Sequence, residues 1–395
     1  MSSAKRWLLP DGVEEILPEE ARKLESLRRE ILDLYRAWGY ELVITPLIEF
    51  LDSLLVGSSH DLDLHTFKLI DQLSGQTMGI RADITPQAAR IDAHRLNRDG
   101  PVRLCYADNV LHALPRGIQT SRAPIRIGAE FYGHAGVKCD IEVICLMCAM
   151  LQQAGVENVH LVLGHVGIYR SLLEEAGLDS ESEETLFEAV QRKAYGEVDR
   201  LLAAGVGDGA LREMLARLVR LSGGGEALKQ AQETFAGAPA AVKAELDELL
   251  AIDEGVRKRV PAVPLSYDLC ELRGYQYHTG IVFAAYTPGY GRAVAKGGRY
   301  DNIGEVFGRA RPATGFDSDL KTLARLTGRE FLRQPGILAP DSDCAELRAK
   351  VEHLRASGEI VICDVNGGCD AAAARDLGCD RLLLRRGDEW LVEKI

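Results

Sequence analysis

No stretch of this chain is apolar for long enough to cross a bilayer. The longest apolar run, residues 143–151, falls far short of the ~20 residues that a spanning helix requires. An excess of positive charge is missing too: Lys and Arg number 47 against 59 Asp and Glu, a net charge of −12. A nucleic-acid backbone demands clustered Lys and Arg, so no nucleic-acid partner is expected. After Lys5-Arg6 come Trp7 and then Pro10-Asp11-Gly12, without the apolar core of a signal peptide. The expected location is the cytoplasm, away from membranes. The nine cysteines are odd in number and scattered, which argues against a disulfide framework. Cys145 and Cys148 have the spacing of a metal or redox pair, but no second pair lies near them. They read as core residues of a buried helix. Gly223-Gly224-Gly225 reads as a link between helices. It is not a phosphate loop, because no strand precedes it and no Lys-Ser/Thr follows. No cofactor, metal or catalytic residue is expected.

What is present is an ordinary globular composition, 46% hydrophobic and 27% charged over 395 residues, enough for two or three domains. Pro18 opens a helix on which Leu24, Leu27, Ile31, Leu34 and Trp38 recur at helical spacing, with Gly39 placed to end it. Residues 40–46 read as a strand broken by proline, and 57–63 as a polar loop. Two strands, 67–71 and 77–82, meet at a Ser74-Gly75 turn. Thr85 is placed to cap the helix that follows. Strands 102–110 and 125–133 flank a loop, 115–123, read as mobile. A helix over 141–154 and a strand over 159–163 come next. From 168 to 260 the sequence is rich in Leu, Ala, Glu and Arg and reads as a helical insertion. Strands resume at 265, 281–285 and 292–295. A last unit, 335–395, is near the lower size limit for a domain. It reads as helix 345–354, strand 359–365, helix 370–377, and a hairpin over 381–393 turning at Gly387-Asp388.

Two segments suit a zwitterionic ligand: Arg81-Ala82-Asp83-Ile84-Thr85-Pro86-Gln87 and Arg273-Gly274-Tyr275-Gln276-Tyr277-His278-Thr279-Gly280. Asp83 and Thr85 can hold an ammonium group, Arg273 can pair with a carboxylate, and Tyr277 and His278 offer hydrogen-bonding walls. Arg81 fits a strand arginine paired with an acid as well as a ligand contact. Gly297-Gly298, taken alone, reads as a turn.

Five segments stand in order: Gly39-Tyr40 with 45–49, then 81–87, 106–130, 272–280, and Gly297-Gly298-Arg299-Tyr300-Asp301 with 312–316. Together they resemble the catalytic core of class II histidyl-tRNA synthetases over roughly residues 8–325. The resemblance implies an α+β fold: a mixed, mainly antiparallel sheet flanked by helices. The expected domains are a core over 1–325 with a helical insertion over 168–260, which that family also carries, and the small α/β unit over 335–395, which looks too small to be the family's anticodon-binding domain. It also implies a homodimer and a pocket for free histidine built by Asp83, Thr85, Arg126, Glu130, Arg273, Tyr277 and His278. Asp83 stands where those enzymes have Glu, and Arg126 where they have Gln. Tyr277 and His278 stand for a Tyr-Tyr pair.

The departures fall on the phosphate side. Activating an amino acid with ATP needs cations on the phosphates as charge moves. The positions of two arginines hold Leu111 and Thr322, a partner acid is Ala113, and Asp317 and Asp319 add negative charge. Lys321 offers partial compensation. The segment 81–87 is similar in particular to the paralogous regulatory subunits of short-form ATP phosphoribosyltransferases. That similarity implies a non-catalytic regulatory subunit for the first step of histidine biosynthesis. Its partner would be the separate short catalytic subunit, and its effector histidine. A histidine-activating ligase is the alternative.

Overall fold

A computed structural model describes residues 7–55, 60–115, 117, 121–272, 274, 275, 277–365 and 369–395. The chain divides into two compact units, Met1–Arg329 and Glu330–Ile395.

The first unit opens with helix α1 (Pro18–Ala37) and the short strands β1 (Glu41–Leu42) and β2 (Ile48–Phe50). Helices α2 (Leu51–Leu55) and α3 (His60–His65) lead to the hairpin β3 (Phe67–Ile70) and β4 (Thr77–Ile80). Helix α4 (Thr85–Arg90) runs on into a π-helical stretch, Ile91–Leu96, before β5 (Val102–Asn109), β6 (Ile125–Tyr132), α5 (Val137–Gln153) and β7 (His160–His165). Six helices follow: α6 (Val166–Ala176), α7 (Ser180–Gln191), α8 (Tyr195–Gly205), α9 (Gly209–Leu218), α10 (Gly225–Thr234) and α11 (Ala240–Arg259). A two-residue strand, β8 (Ser222–Gly223), lies between α9 and α10. The unit closes with β9 (Leu265–Asp268), β10 (Ile281–Tyr286), β11 (Ala295–Arg299), β12 (Ala313–Asp319) and α12 (Leu320–Leu326).

These strands form one sheet in the order β1-β5-β6-β12-β11-β10-β7-β9-β8, and β2-β4-β3 form a small second sheet. The six strands from β5 to β7 pair antiparallel. Outside them, β1 joins β5 and β9 joins β7 in parallel. The fold is therefore α+β, with a mixed, mainly antiparallel sheet. Helices α1, α5 and α12 pack on one face of it. The side chains of Ile127, Ala129 and Phe131 on β6 alternate with those of Arg126, Gly128 and Glu130, and all but Arg126 are buried. Tyr35 of α1 meets Phe316 of β12 edge-on, with ring centroids 6.1 Å apart.

Several expectations change. The buried stripe of α1 is Leu24, Leu27, Ile31 and Tyr35; Trp38 is its C-cap and 37% exposed, because a 3.6-residue period brings position 35 under the sheet. Gly39 ends the helix with φ 84°. The expected strand over 40–46 shrinks to β1, and part of the expected loop over 57–63 is the start of α3. Gly223 does not link helices loosely; it pairs with Tyr267 of β9. Gly297 and Gly298 are not a turn but the middle of β11. A Cβ on Gly297 would lie 2.1 Å from the Gly315 carbonyl oxygen. The expected mobile loop lies partly outside the described residues.

The second unit holds β13 (Gly336–Pro340), α13 (Ala345–Ala356), β14 (Val361–Asp364), α14 (Ala371–Asp376), β15 (Cys379–Arg386) and β16 (Glu389–Lys394). Its sheet order is β14-β13-β15-β16, parallel except for the last pair. Successive residues of β13 point to opposite faces. Ile337 and Ala339 pack with Leu347 and Val351 of α13, and Leu338 with Ala374 of α14. Strand β13 escapes the sequence reading because residues 335–340 (PGILAP) are bracketed by prolines and show no alternation.

A buried ion pair holds the centre of the first unit. Arg299 on β11 meets Asp140 of α5 at 2.8 Å, with side chains 5% and 1% exposed. Thr314 on β12 donates to the same carboxylate. Removing one partner strands a charge in the core. Arg299→Met should lower the unfolding free energy by about 3–5 kcal/mol in urea titrations. Adding Asp140→Leu should recover a large part of that loss.

Candidate functional site

On the sheet face away from α1, cross-strand pairing sets three residues of β6 opposite three of β12: Arg126 faces Asp319, Gly128 faces Asp317, and Glu130 faces Gly315. Of these, Arg126, Glu130, Gly315 and Asp317 line one side of a cavity of about 240 Å³. Asp83, Thr85, Tyr277, His278, Lys296 and Tyr300 also line it. That is the size range of a small metabolite, below the volumes usual for drug-sized ligands.

Glu130 lies at its base, 1% exposed. Its carboxyl group accepts from Tyr106 Oη (3.0 Å), from Thr85 Oγ1 (3.0 Å) and from Tyr300 Oη. Burial outweighs these donors and pushes its pKa up to about 8. The carboxyl fits only because residue 315 has no side chain. A Cβ there would sit 1.4 Å from Glu130 Oε2.

Asp83 follows β4, and its Oδ1 accepts from the backbone nitrogens of Ile84 (2.6 Å) and Thr85 (3.3 Å). Thr85 is therefore not the cap of α4. Its hydroxyl is spent on Glu130, and Asp83 supplies the acceptor for the first amides. Asp83 remains partly exposed. Arg126 pairs with Asp317 at 3.0 Å, and its buried Nε has no hydrogen-bond partner. Burial disfavours its charge, but Asp317, Asp83 and Asp319 together outweigh that and raise its pKa.

Tyr277 stacks on Tyr300 with centroids 5.0 Å apart. Its buried hydroxyl has no hydrogen-bond partner. His278 meets Tyr277 edge-on. Its Nδ1 lies 3.2 Å from the Arg299 carbonyl oxygen, which makes Nδ1 the protonated nitrogen and Nε2 an acceptor. Burial lowers its pKa to about 4, so the ring is neutral at pH 7. Arg273, the expected carboxylate partner, lies outside the described residues. The structure thus brings Asp83, Thr85, Arg126, Glu130, Tyr277 and His278 around one cavity.

Arg81 is a structural pin. It is 1% exposed, pairs with Asp108 at 2.8 Å and donates to the carbonyl oxygens of Asn109 (2.8 Å) and Thr45 (2.7 Å). On the phosphate side, Asp319 accepts from the Lys321 amide and from Thr322 Oγ1, both 3.1 Å. The Lys321 ammonium offers no compensation to a ligand. It is buried against Glu14 (3.0 Å) and Ser121 (3.3 Å). Tyr106, Tyr300 and Gly315 lie in the segments that carry the resemblance, but the pocket expected from sequence does not include them. The available signal was glycine inside strands, at 128 and 315, which marks a close approach.

The profile of histidyl-tRNA synthetases matches residues 12–323, and the profile of the ATP phosphoribosyltransferase subunit HisZ C-terminal domain matches 334–393. The first places the core among class II histidyl-tRNA synthetase-like proteins. A histidyl-tRNA synthetase from Nostoc sp. PCC 7120 shares that fold at TM-score 0.75 and 19% identity, covering 98% of this chain and 94% of that one. An "ATP phosphoribosyltransferase regulatory subunit/histidyl-tRNA synthetase" from Bacillus halodurans superposes at TM-score 0.82 with 28% identity, covering 97% and 99%. An ATP phosphoribosyltransferase regulatory subunit from Pseudomonas syringae pv. syringae is 56% identical over 99% of both chains. One from Chromohalobacter salexigens is 55% identical over 100% of both. The chain belongs to the family of ATP phosphoribosyltransferase regulatory subunits. No helix among the described residues is long and apolar enough to cross a membrane.

A carboxyl group with a raised folded-state pKa stabilises most when protonated. The contribution of Glu130 is fully present below its ordinary value of 4.5 and is lost as pH rises through about 8. Glu130→Gln cannot ionise. Urea midpoints should show the wild type losing ground to this variant between pH 5 and pH 8.

Proposed function

We propose that this chain is the non-catalytic regulatory subunit of a short-form ATP phosphoribosyltransferase, acting in the cytoplasm, and that its pocket binds free histidine as the feedback effector. The observation that carries the reading is the pair of carboxylates, Asp317 and Asp319, on the side of the cavity where the resemblance would put the triphosphate. Asp317 neutralises Arg126, Asp319 is tied to α12, and Leu111 and Thr322 stand where arginines are needed. Like charge against a triphosphate costs several kcal/mol in a dry site. The amino-acid side keeps its parts. Asp83 and Thr85 face the ammonium group, Glu130, Tyr277 and His278 surround the imidazole, and Arg273 is assigned to the carboxylate.

A homodimer is part of the reading. Leu42, Ile44, Leu47, Ile48 and Phe50 are exposed large apolar residues on and between β1 and β2, and a second copy would cover them. The dimer would dock catalytic subunits, and histidine would favour one arrangement of the assembly over another. Such coupling is typically ~1–3 kcal/mol and requires unequal affinity for the two arrangements.

The deciding measurement is phosphoribosyl-ATP formation by the short-form catalytic subunit of the same organism. Adding this chain should stimulate the reaction, and histidine should reverse the stimulation; a folded partner that shows no response would overturn the reading. Asp83→Asn keeps an oxygen for the Ile84 and Thr85 amides but removes the charge. Calorimetry should show histidine bound roughly 10- to 100-fold more weakly. Unchanged affinity would remove Asp83 from the site.

A further inference from the structure

His165 ends β7, and its side chain has no solvent exposure. Neither ring nitrogen makes a hydrogen bond, although a buried imidazole ordinarily satisfies both. What faces it instead is a pair of carboxylates. Glu245 Oε2 lies 3.3 Å from Nδ1, and Glu248 Oε2 lies 3.7 Å from Nε2. Both acids come from α11, one turn apart, so they share a helix face. Gly167, two residues along the chain, makes room for them: a Cβ there would sit 2.4 Å from Glu245 Oε2. The neighbouring arginines are engaged elsewhere. Arg299 is paired with Asp140 and Asp301, and Arg170 donates to the carbonyl oxygens of Tyr275 and His278.

We propose that His165, Glu245 and Glu248 form a divalent-cation site that ties helix α11 to the end of strand β7. One nitrogen and two carboxylate oxygens suit Zn²⁺ or Mn²⁺ better than the all-oxygen preference of Ca²⁺ or Mg²⁺. One donor atom from each residue can be chosen so that all lie within 4.8 Å of one another. Metal–ligand bonds of 2.0–2.2 Å put ligand atoms ~3.4 Å apart in a tetrahedral shell. The Glu245 and Glu248 side chains, 29% and 47% exposed, have the freedom to close that difference and leave a position for water. The ion would neutralise two adjacent carboxylates that Arg170 and Arg299 influence only through space. It would also sit behind the pocket loop, since the Val166 amide donates to the Gly280 carbonyl oxygen at 3.0 Å.

The test uses the full chain, stripped with EDTA and then titrated with Mn²⁺ alone under electron paramagnetic resonance. Mn²⁺ disfavours thiolates, so the nine cysteines do not confuse the count. One Mn²⁺ should bind per chain and be displaced by Zn²⁺, and Zn²⁺ should raise the melting temperature by several degrees. Glu245→Gln with Glu248→Gln should abolish binding. Glu248→Gln alone, at a half-exposed side chain, should fold normally and weaken binding at least ~10-fold. Absence of Mn²⁺ binding in the wild type, or equal binding in the Glu248→Gln variant, would overturn the site. The cluster would then be an imidazole set between two carboxylates without an ion.

Discussion

A carboxyl group only 1% exposed sits at the base of the pocket in the first unit, and much of the pocket is arranged to keep it there. Glu130 costs free energy to bury in either state unless its oxygens are satisfied. The donors come from three separate places in the chain: Thr85 at the head of α4, Tyr106 on β5 and Tyr300 just past β11. Each must be in position at once. Two strands give up side chains for it, since Gly315 clears space for the carboxyl and Gly128 lies under the Tyr106 ring. The same contacts that satisfy Glu130 therefore fix the register of β5, β6 and β12, and with it the shape of the cavity.

Charge in the interior is otherwise handled by arginine, and the pattern separates scaffold from site. Arg81, Arg299 and Arg311 are all buried, and each meets a carboxylate and backbone carbonyl oxygens. Their planar forks saturate several acceptors at once, which makes them fasteners between distant segments. Arg126 differs. It meets one carboxylate, keeps an unsatisfied nitrogen, and lines the cavity with Asp83 and Asp317. An incompletely satisfied buried cation is costly in a scaffold and reasonable where a ligand is to complete it.

How much of this was legible depended on whether a residue's role was local. Helical periodicity places α1, because burial of one face imprints the sequence directly, whereas α5 is legible as an apolar run and the helices between β7 and β9 through their Leu, Ala, Glu and Arg content. The family-specific segments point to Asp83, Glu130, Tyr277 and His278 as neighbours although they lie far apart in the chain. Roles decided by distant partners stayed hidden. Thr85 before proline looks like a cap from its neighbours alone, yet its hydroxyl is drawn to a carboxyl 45 positions away. Gly297-Gly298 looks like a turn because the sequence does not show the Phe283 ring and the Gly315 carbonyl oxygen that exclude a Cβ. Tyr35 and Trp38 both fit a helical stripe, and only the sheet beneath decides which is buried.

A pocket that binds without reacting is under a different constraint from an active site. An enzyme gains nothing from holding substrate and transition state equally well, so its interactions are reserved for charge that develops later. A sensor needs the reverse: all of its binding energy must appear in the ground-state complex, and must differ between two arrangements of the assembly. On the proposed reading, the substitutions on the phosphate side serve that end. Replacing arginines with Leu111 and Thr322 removes cations whose only use is to stabilise a reaction. Asp317 and Asp319 then hold Arg126 and the start of α12 in place without a nucleotide. The loop over Tyr277 and His278 is tethered through Arg170 to α6, the first helix after β7. Filling the pocket would therefore bear on the helices beyond it through a defined set of hydrogen bonds, and a synthetase pocket would become a sensor's without a new fold.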